Sequence, residues 1–370
     1  MTILFLDQYS DLGGGQLCLL DLLPALRRAG FAVHAAIPGD GAFAARLAAA
    51  GAVVHPLCLP ALSTGRKTPA DALRFAARLP AVTREIRLLA GRLCPALIYV
   101  NGPRLMPAVA AARLNVPVLF HAHNRLHAAQ RVLVRVAVAR CRATVVAASR
   151  FVWPHADRVV YSGVAGPQAP RHNPAPHPRI GLIGRIAPQK GQLPFVRAAR
   201  RLPEEWRFVL CGATQFADPR YLDVLRREAP ASVTFLGWRD DVYGVLASLD
   251  LLVVPSAGEG GVPRVILEAF AVEVPVLALD SGAIPEVVRD GVNGFLLSST
   301  QDLTRRLKEL LSERDLLGQV ARRARRDYET RFTADRYRQE LWALVEDLSN
   351  TRQAAAAASP TPAAPRTGPL

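Results

Sequence analysis

Short apolar, β-rich runs alternate with helix-periodic segments along this chain, and no other feature narrows its possible folds as far. Thr2–Leu6 reads as a buried strand. A glycine-rich loop follows, then an apolar-periodic helix from about Gln16 to Ala29, closed by Gly30. Phe31–Ile37, Ala52–His55, Ala96–Val100, Val116–Phe120 and Ala143–Ala147 are further short strands with helical stretches between them. The alternation stops at Gly163–Arg179, which holds Pro167, Pro170, Pro174, Pro176 and Pro178 and no periodicity. It then restarts with Arg179–Gly184, Arg207–Cys211, Ser232–Leu236, Leu251–Val254 and Val274–Ala278. Such βα alternation predicts an α/β chain with two doubly wound parallel sheets. The expected organisation is a Rossmann-like domain over 1–165, a Pro-rich linker over 166–178 and a second Rossmann-like domain over 179–330. A C-terminal helix over 331–349 ends the fold, and a disordered Ala/Pro/Thr tail fills 350–370. Two such domains predict a cleft where ligands bind.

Charge divides the chain unevenly. Residues 1–175 carry 20 Arg and Lys against 7 Asp and Glu, whereas residues 176–370 carry 26 against 24. The net charge of +15 therefore sits almost wholly in the first half. That asymmetry suits an anionic membrane surface or an anionic acceptor. The basic run Arg66, Lys67, Arg74, Arg78, Arg84, Arg87 and Arg92 is interleaved with apolar residues, and Pro80 is expected to split it into two helices. Arg125, Arg131, Arg135, Arg140 and Arg142 add to the same domain. Nucleic acid is excluded as a partner, because a chain of 6% aromatic residues lacks a basic–aromatic platform. No apolar run approaches the ~18 residues of a membrane span, and Thr2–Leu6 reads as a first strand rather than a leader. Five scattered cysteines without CxxC spacing argue for a reducing compartment and against a zinc site.

Three stretches can carry chemistry. Gly13-Gly14-Gly15 follows the first strand and presents backbone N–H groups at a helix start, a natural anion site. It is no dinucleotide fingerprint, since the third glycine would fall on Leu17 or Cys18. Gly184-Arg185 through Lys190-Gly191 puts two cations on one strand-end loop, able to stabilise a diphosphate without a metal. Lys190 is one of only three lysines among 46 basic residues. Pro255 to Ala269 is a strand end, a glycine loop and a helix starting near Val262 or Pro263, with Glu268 about two turns in. A buried carboxylate there needs a partner, and vicinal ribose hydroxyls are a suitable one. Asp240-Asp241 could suggest a metal-binding pair, but no other acid or His lies within the ten residues before it. Neither a GxSxG elbow nor a Walker loop is present.

These residues together resemble the family 4 retaining glycosyltransferases, which have the GT-B fold. The resemblance rests on Gly184–Gly191, Phe235–Asp241, Ala247–Asp250, Val254–Ser256, Glu259–Ala271, Val274–Val276, Ser281–Glu286 and Asp290–Phe295, in that order and spacing. It implies that Gly184, Arg185 and Lys190 hold the diphosphate of a nucleoside-diphosphate sugar and that Glu268 holds the ribose. Glu259 and the amides of Gly260, Gly261 and Val262 would face the donor sugar, and Arg239 lies in the loop expected to set base preference. Gly14 and Gly15 match the glycine loop that approaches the donor phosphates. In Pro117–Asn124, His123 matches the family's histidine near the reacting centre, with His121 the runner-up and Asn124 beside them on the acceptor side. Ser149 and Gly163 are weaker matches. One departure stands out: eight residues separate Glu259 from Glu268 where the family has seven, and Gly260 holds the usual glutamate position.

The resemblance implies transfer with retention to an envelope-type acceptor: a lipid-linked sugar, a polysaccharide or a glycolipid. It implies no cofactor beyond a UDP- or GDP-linked donor, no metal, and a cytoplasmic protein at the inner face of the cell membrane. A GT-B sugar-nucleotide epimerase and a non-catalytic nucleotide-sugar or membrane-surface binding subunit are the alternatives. The irregular glutamate spacing favours the latter.

Overall fold

The computed structural model describes residues 1–59, 69–168, 177–214 and 217–357. Arg66 and Lys67, most of the expected linker and the tail beyond Ala357 lie outside the described residues. The chain forms two compact units. The first is Met1–Ala122 and Leu126–Val146 with the chain from Arg338. The second is His123–Arg125 with Ala147–Tyr337.

In the first unit the elements are β1 (Thr2–Asp7), α1 (Gly14–Arg28), β2 (Ala32–Ile37), α2 (Ala42–Ala49), β3 (Val53–Pro56), α3 (Pro69–Leu93), β4 (Leu97–Asn101), α4 (Met106–Ala112), β5 (Val118–Ala122), α5 (Ala128–Cys141) and β6 (Thr144–Ala147). The strands lie in the order β3-β2-β1-β4-β5-β6, and every pair from β3 to β5 is parallel. Ile3–Leu6 and Leu97–Val100 are buried without alternation, as strands covered by helices on both faces must be. Helices α3, α4 and α5 pack as neighbours in chain order. Pro80 does not split α3, contrary to the sequence expectation. It and Ala76, whose carbonyl it deprives of a donor, both face solvent, where water supplies the missing bond.

The second unit contains β7 (Arg158–Val159), β8 (Arg179–Ile183), α6 (Gln192–Ala199), β9 (Arg207–Cys211), α7 (Pro219–Glu228), β10 (Val233–Gly237), α8 (Val242–Ala247), β11 (Leu251–Val254), α9 (Arg264–Ala271), β12 (Val276–Leu279), β13 (Phe295–Leu297), α10 (Leu303–Ser312) and α11 (Arg314–Asp327). Its sheet runs β10-β9-β8-β11-β12-β13, parallel throughout. Strand alternation builds two cores. Phe208, Leu210, Leu251 and Val253 pack in one, while Val209, Leu252 and Val254 pack in the other. The two- and three-residue strands β7 and β13 are too short to leave a periodic signal and were not expected. Asp241 caps α8, accepting a bond from Gly244 N at 2.8 Å.

A π-helical turn at Tyr328–Phe332 leads into α12 (Ala334–Ala357). Within the first unit, Trp342 meets Phe31 edge-on with ring centroids 5.7 Å apart. Residues 350–357 are helical although composition predicted a disordered tail from Asn350. Four of them are alanines, the strongest helix former, and they extend a helix already nucleated. No described helix is long and apolar enough to cross a membrane.

Arg325 ties the second unit together. It is 7% exposed, and its guanidinium donates to Pro167 O at 3.1 Å, to Gln168 O at 2.9 Å and to Ala271 O, with Glu329 Oε1 at 2.7 Å from Nε. Arg325→Met keeps most of the volume and strands three carbonyls. It is expected to cost about 3 kcal/mol in urea unfolding; a loss under about 1 kcal/mol would mean that water replaces the guanidinium.

Candidate functional site

In an open parallel sheet the strand order reverses at one place, and there the loops on either side separate. In the second unit that place is between β8 and β11. The loops leaving their C-terminal ends carry Gly184–Gly191 and Pro255–Val262, two of the stretches singled out in the sequence. Gln192, buried at the start of α6, shapes the first loop: its Nε2 donates to Arg185 O at 2.8 Å and its Oε1 accepts from Tyr221 OH at 3.3 Å. Arg185 is exposed. Lys190 ends a 3-10 turn, Pro188–Lys190, and its Nζ donates to Glu259 Oε1 in a half-buried ion pair. The two loops are also joined through backbone, Ala257 N to Gln189 O at 3.0 Å.

The third wall is the loop after β12. Gly258 N donates to Ser281 Oγ at 2.9 Å, and Ala283 N donates to Glu259 O at 3.0 Å. Gly282 has φ +64, and a Cβ there would lie 2.3 Å from Glu259 O, so glycine is required for this approach. On the other side a Cβ on Gly260 would lie 2.9 Å from His123 O and 3.2 Å from Asn124 Cα. Gly260 O accepts from Ser149 Oγ at 2.6 Å, and Gly261 faces Ala148. Gly260, which holds the position where the resemblance expects a glutamate, is thus packed too closely for a side chain. Val262 is buried beneath the loop.

Helix α9 begins at Arg264, after Pro263, so Glu268 lies little more than one turn in rather than two. Pro263 holds an extended backbone (ψ 122), and Val262 before it stays in the loop. Glu268 is half-buried, and burial raises its pKa against the opposing pull of Arg264. Burial, with the Glu268 charge next, also raises the Tyr243 phenol. At the outer strands, Gly184 N donates to Cys211 O and Gly212 N donates to Gly237 O, both at 2.9 Å, which aligns three strand ends. Trp238 and Arg239 follow, both exposed, with the Arg239 charge acting on the Cys211 thiol.

The two candidate histidines part company. His121, on β5, is buried in the first unit with Nδ1 2.5 Å from Tyr99 OH. It belongs to that unit's packed interior. His123 and Asn124 leave the strand end and group with the second unit against Gly260. Burial pushes the His123 imidazole down to about 4. Glu286 fixes the neighbouring segment, accepting from Arg150 N at 2.8 Å, Phe151 N at 2.7 Å and Tyr161 OH at 2.9 Å.

The first unit has its own reversal point, between β1 and β4. Gly14 and Gly15 open α1 there, with Gly13 as a cap that offers no side chain and no acid in the first turn. Beneath them Asp7 accepts from Gln16 Nε2 at 2.9 Å and Asn101 Nδ2 at 2.5 Å, and Asn101 reaches Gly15 O at 3.4 Å. Burial raises the Asp7 carboxyl to about 6, outweighing these donors. Asp7, Gln16, Asn101, Gln192 and Glu286 escaped the sequence reading. A lone polar residue ending an apolar strand was the available signal for Asp7 and Asn101. Among the described residues no cluster of three or more His, Cys, Asp or Glu could hold a metal ion.

The buried titrations have opposite signs. His123 is 6.5 unfolded and about 4 folded, so it contributes stability above pH 6.5 that is lost as pH falls towards 4. His34 and His55, both lowered, act in the same direction. Asp7, raised from 3.8 to about 6, loses stability as pH rises across that interval. His123→Phe is therefore expected to flatten the fall of the urea midpoint between pH 6.5 and 4; an unchanged slope would contradict this.

The family model described as "Glycosyl transferases group 1" matches residues 177–313, and the "Glycosyl transferase 4-like domain" matches residues 13–165. The chain is 28% identical over 162 residues to the lipopolysaccharide core biosynthesis glycosyltransferase LpsE of Rhizobium meliloti (strain 1021), covering 43% of this chain and 47% of the relative. It is 31% identical over 180 residues to the lipopolysaccharide core biosynthesis mannosyltransferase LpcC of Rhizobium leguminosarum bv. viciae, covering 46% and 51%. These matches span about half the length of the curated relatives. Among solved structures, Anabaena Alr3699/HepE in complex with UDP-glucose is similar over 94% of this chain and 100% of its own, with 25% identity and a TM-score of 0.70. The two family matches, side by side over the two parallel-sheet units, establish that this chain belongs to the group 1 glycosyltransferases of the family 4 type, with the GT-B fold.

Proposed function

We propose that this protein is a retaining glycosyltransferase that moves a sugar from a nucleoside-diphosphate donor, bound on the second unit, to a glycan or lipid-linked acceptor bound on the first. The observation that carries this is the joining of Lys190 to Glu259 across the two loops that flank the second unit's reversal point. Breaking the glycosidic C–O bond leaves a diphosphate, and preorganised cations stabilise that charge. Lys190, held to within reach by Glu259, and the exposed Arg185 are the cations available. On donor binding the diphosphate oxygens compete with Glu259 for Lys190, and Glu259 with the amides of Gly260–Val262 is freed to meet the donor sugar. Half-buried Glu268 is placed to accept bonds from vicinal ribose hydroxyls, which repay the burial that raises its pKa. His123, neutral at pH 7, donates or accepts a bond near the sugar without adding charge. With no enzymic nucleophile invoked, the acceptor hydroxyl attacks on the face the diphosphate leaves, and a leaving phosphate oxygen takes its proton.

HepE was crystallised with UDP-glucose, which supports a uridine donor, with a GDP-linked donor second. LpsE and LpcC carry names in lipopolysaccharide core biosynthesis, which supports an envelope-type acceptor presented at the inner face of the cell membrane. The basic first unit suits that anionic surface. Despite the irregular glutamate spacing, the feature that favoured a non-catalytic subunit, Glu259 meets Lys190 across the two loops, which supports the catalytic reading.

Two measurements test this reading. Lys190→Ala and Glu268→Ala are each expected to abolish transfer while the circular dichroism spectrum stays native; wild-type turnover in either removes the donor-site assignment. A diphosphate at ~100 times its dissociation constant stabilises the native state by about 2.7 kcal/mol. UDP, GDP or ADP is therefore expected to raise the melting temperature by a few degrees, unchanged by EDTA. No shift with any of the three would overturn the donor site.

A further inference from the structure

Helix α5 presents its apolar stripe to solvent. Val132, Leu133 and Val136 are 63%, 54% and 60% exposed, a concentration of bare aliphatic side chains unmatched on any other described helix. With Ala129 they recur at i, i+3, i+4 and i+7, the spacing that normally marks a helix face turned inward. Here the inward face is narrow and opposite, made by Val134 and Ala137. At 3.6 residues per turn, Arg135 flanks the exposed stripe about 60° from Val132, Arg131 lies further round towards the buried face, and Arg140 continues the line of the stripe one turn beyond Val136. The helix holds no acid. Nor does the surrounding chain: between Glu85 and Asp157 there are ten arginines and no Asp or Glu. Neighbouring α3, in the same helical layer through α4, adds exposed Leu88 and Arg84.

We infer that α5 is a membrane-docking element that lies in the plane of an anionic bilayer, a role that rests on the membrane-facing reading of the first unit given above. Val132, Leu133 and Val136 enter the headgroup–acyl boundary while Arg135 and Arg131 on one flank, and Arg140 at the end of the ridge, pair with lipid phosphates. An apolar ridge bordered by cations and free of acids is what such an interface selects. A second protein copy would have to bring compensating acids to the same ridge, and the whole 86–156 stretch of this chain has none to offer. The orientation has a use: it would set the acceptor-binding unit directly on the surface that carries a lipid-linked acceptor.

The test is vesicle co-sedimentation of the full chain, with phosphatidylcholine alone and with phosphatidylcholine mixed with phosphatidylglycerol. Wild type is expected to bind only the anionic vesicles, and less as salt rises. At about 1 kcal/mol per cation at the surface, Arg131→Gln/Arg135→Gln/Arg140→Gln should weaken binding roughly a hundredfold. Val132→Ser/Leu133→Ser/Val136→Ser should weaken it about tenfold or more. Leu133→Ser alone serves if the triple variant melts early. The tryptophan introduced by Val136→Trp should be quenched by brominated lipid. A charge-matched control away from this face, Arg46→Gln/Arg92→Gln/Arg113→Gln, should lose less than the α5 arginine variant. Equal or greater loss in that control, with both α5 variants binding normally, overturns α5 as the docking element and leaves the membrane-facing reading standing. No binding of wild type to anionic vesicles overturns both, while the UDP shift still reports separately on the donor site. A dimer in sedimentation velocity that the serine variant dissociates, without vesicle binding, assigns the ridge to a second copy instead.

Discussion

A parallel strand ends at the same edge as each of its neighbours, and this constraint governs everything chemical in the protein. Every residue with a candidate role in the second unit is on a loop or helix start that follows a strand: β8 before Gly184–Lys190, β10 before Arg239, β11 before Glu259–Glu268, β12 before Ser281–Ala283. The edge gathers them without any single long-range side-chain interaction having to do so. What remains for side chains is to choose a spacing. The Lys190–Glu259 ion pair does this across the gap that the strand order opens. Its partners keep about a fifth of their side-chain surface exposed, 22% and 18%, so the pair is wet enough to exchange partners and dry enough to be held.

Glycine sets how close those loops come. Gly282 lets the loop after β12 touch the backbone of Glu259, and Gly260 lets the other flank of the same loop lie against His123 and Asn124. Glu259 is therefore pinned by backbone contacts on both sides, and its side chain has few directions left to take. An added residue in such a loop normally moves the side chains around it. Here Gly260 is packed against the backbone of His123 and Asn124, and Glu259 beside it keeps its bond to Lys190.

Much of this was legible in the chain itself. Two rounds of βα alternation announced two parallel sheets, and strand ends were placed to within about two residues because apolar runs stop where the backbone leaves the core. The loops after β8 and β11 could be marked because glycines, cations and carboxylates there have no packing reason to follow a strand. The choice between His121 and His123 was harder from spacing alone. Period-two alternation sends them to the same side of a strand, and only where β5 ends decides which is packed against Tyr99 and which is released. Gln192 and Glu286 were invisible for a different reason: they act by binding backbone groups, and a backbone partner leaves no complementary residue in the sequence. Pro80 misled because its cost depends on whether its face of the helix is wet, which is a property of packing rather than of the residue.

The two units meet the same geometry with opposite electrostatics. In the first, the reversal point under Gly14 and Gly15 is already occupied by the protein's own carboxyl, Asp7, held by Gln16 and Asn101. Burial opposes its ionisation strongly enough to raise it to about 6, so at neutral pH a negative charge sits beneath the positive end of α1 and largely cancels it. In the second unit the equivalent place holds Lys190 and exposed Arg185, with Glu259 as a partner that can be displaced. The two switch points therefore differ in sign, with a buried carboxyl held by two amides in the first unit and a half-buried ammonium beside an exchangeable carboxylate in the second.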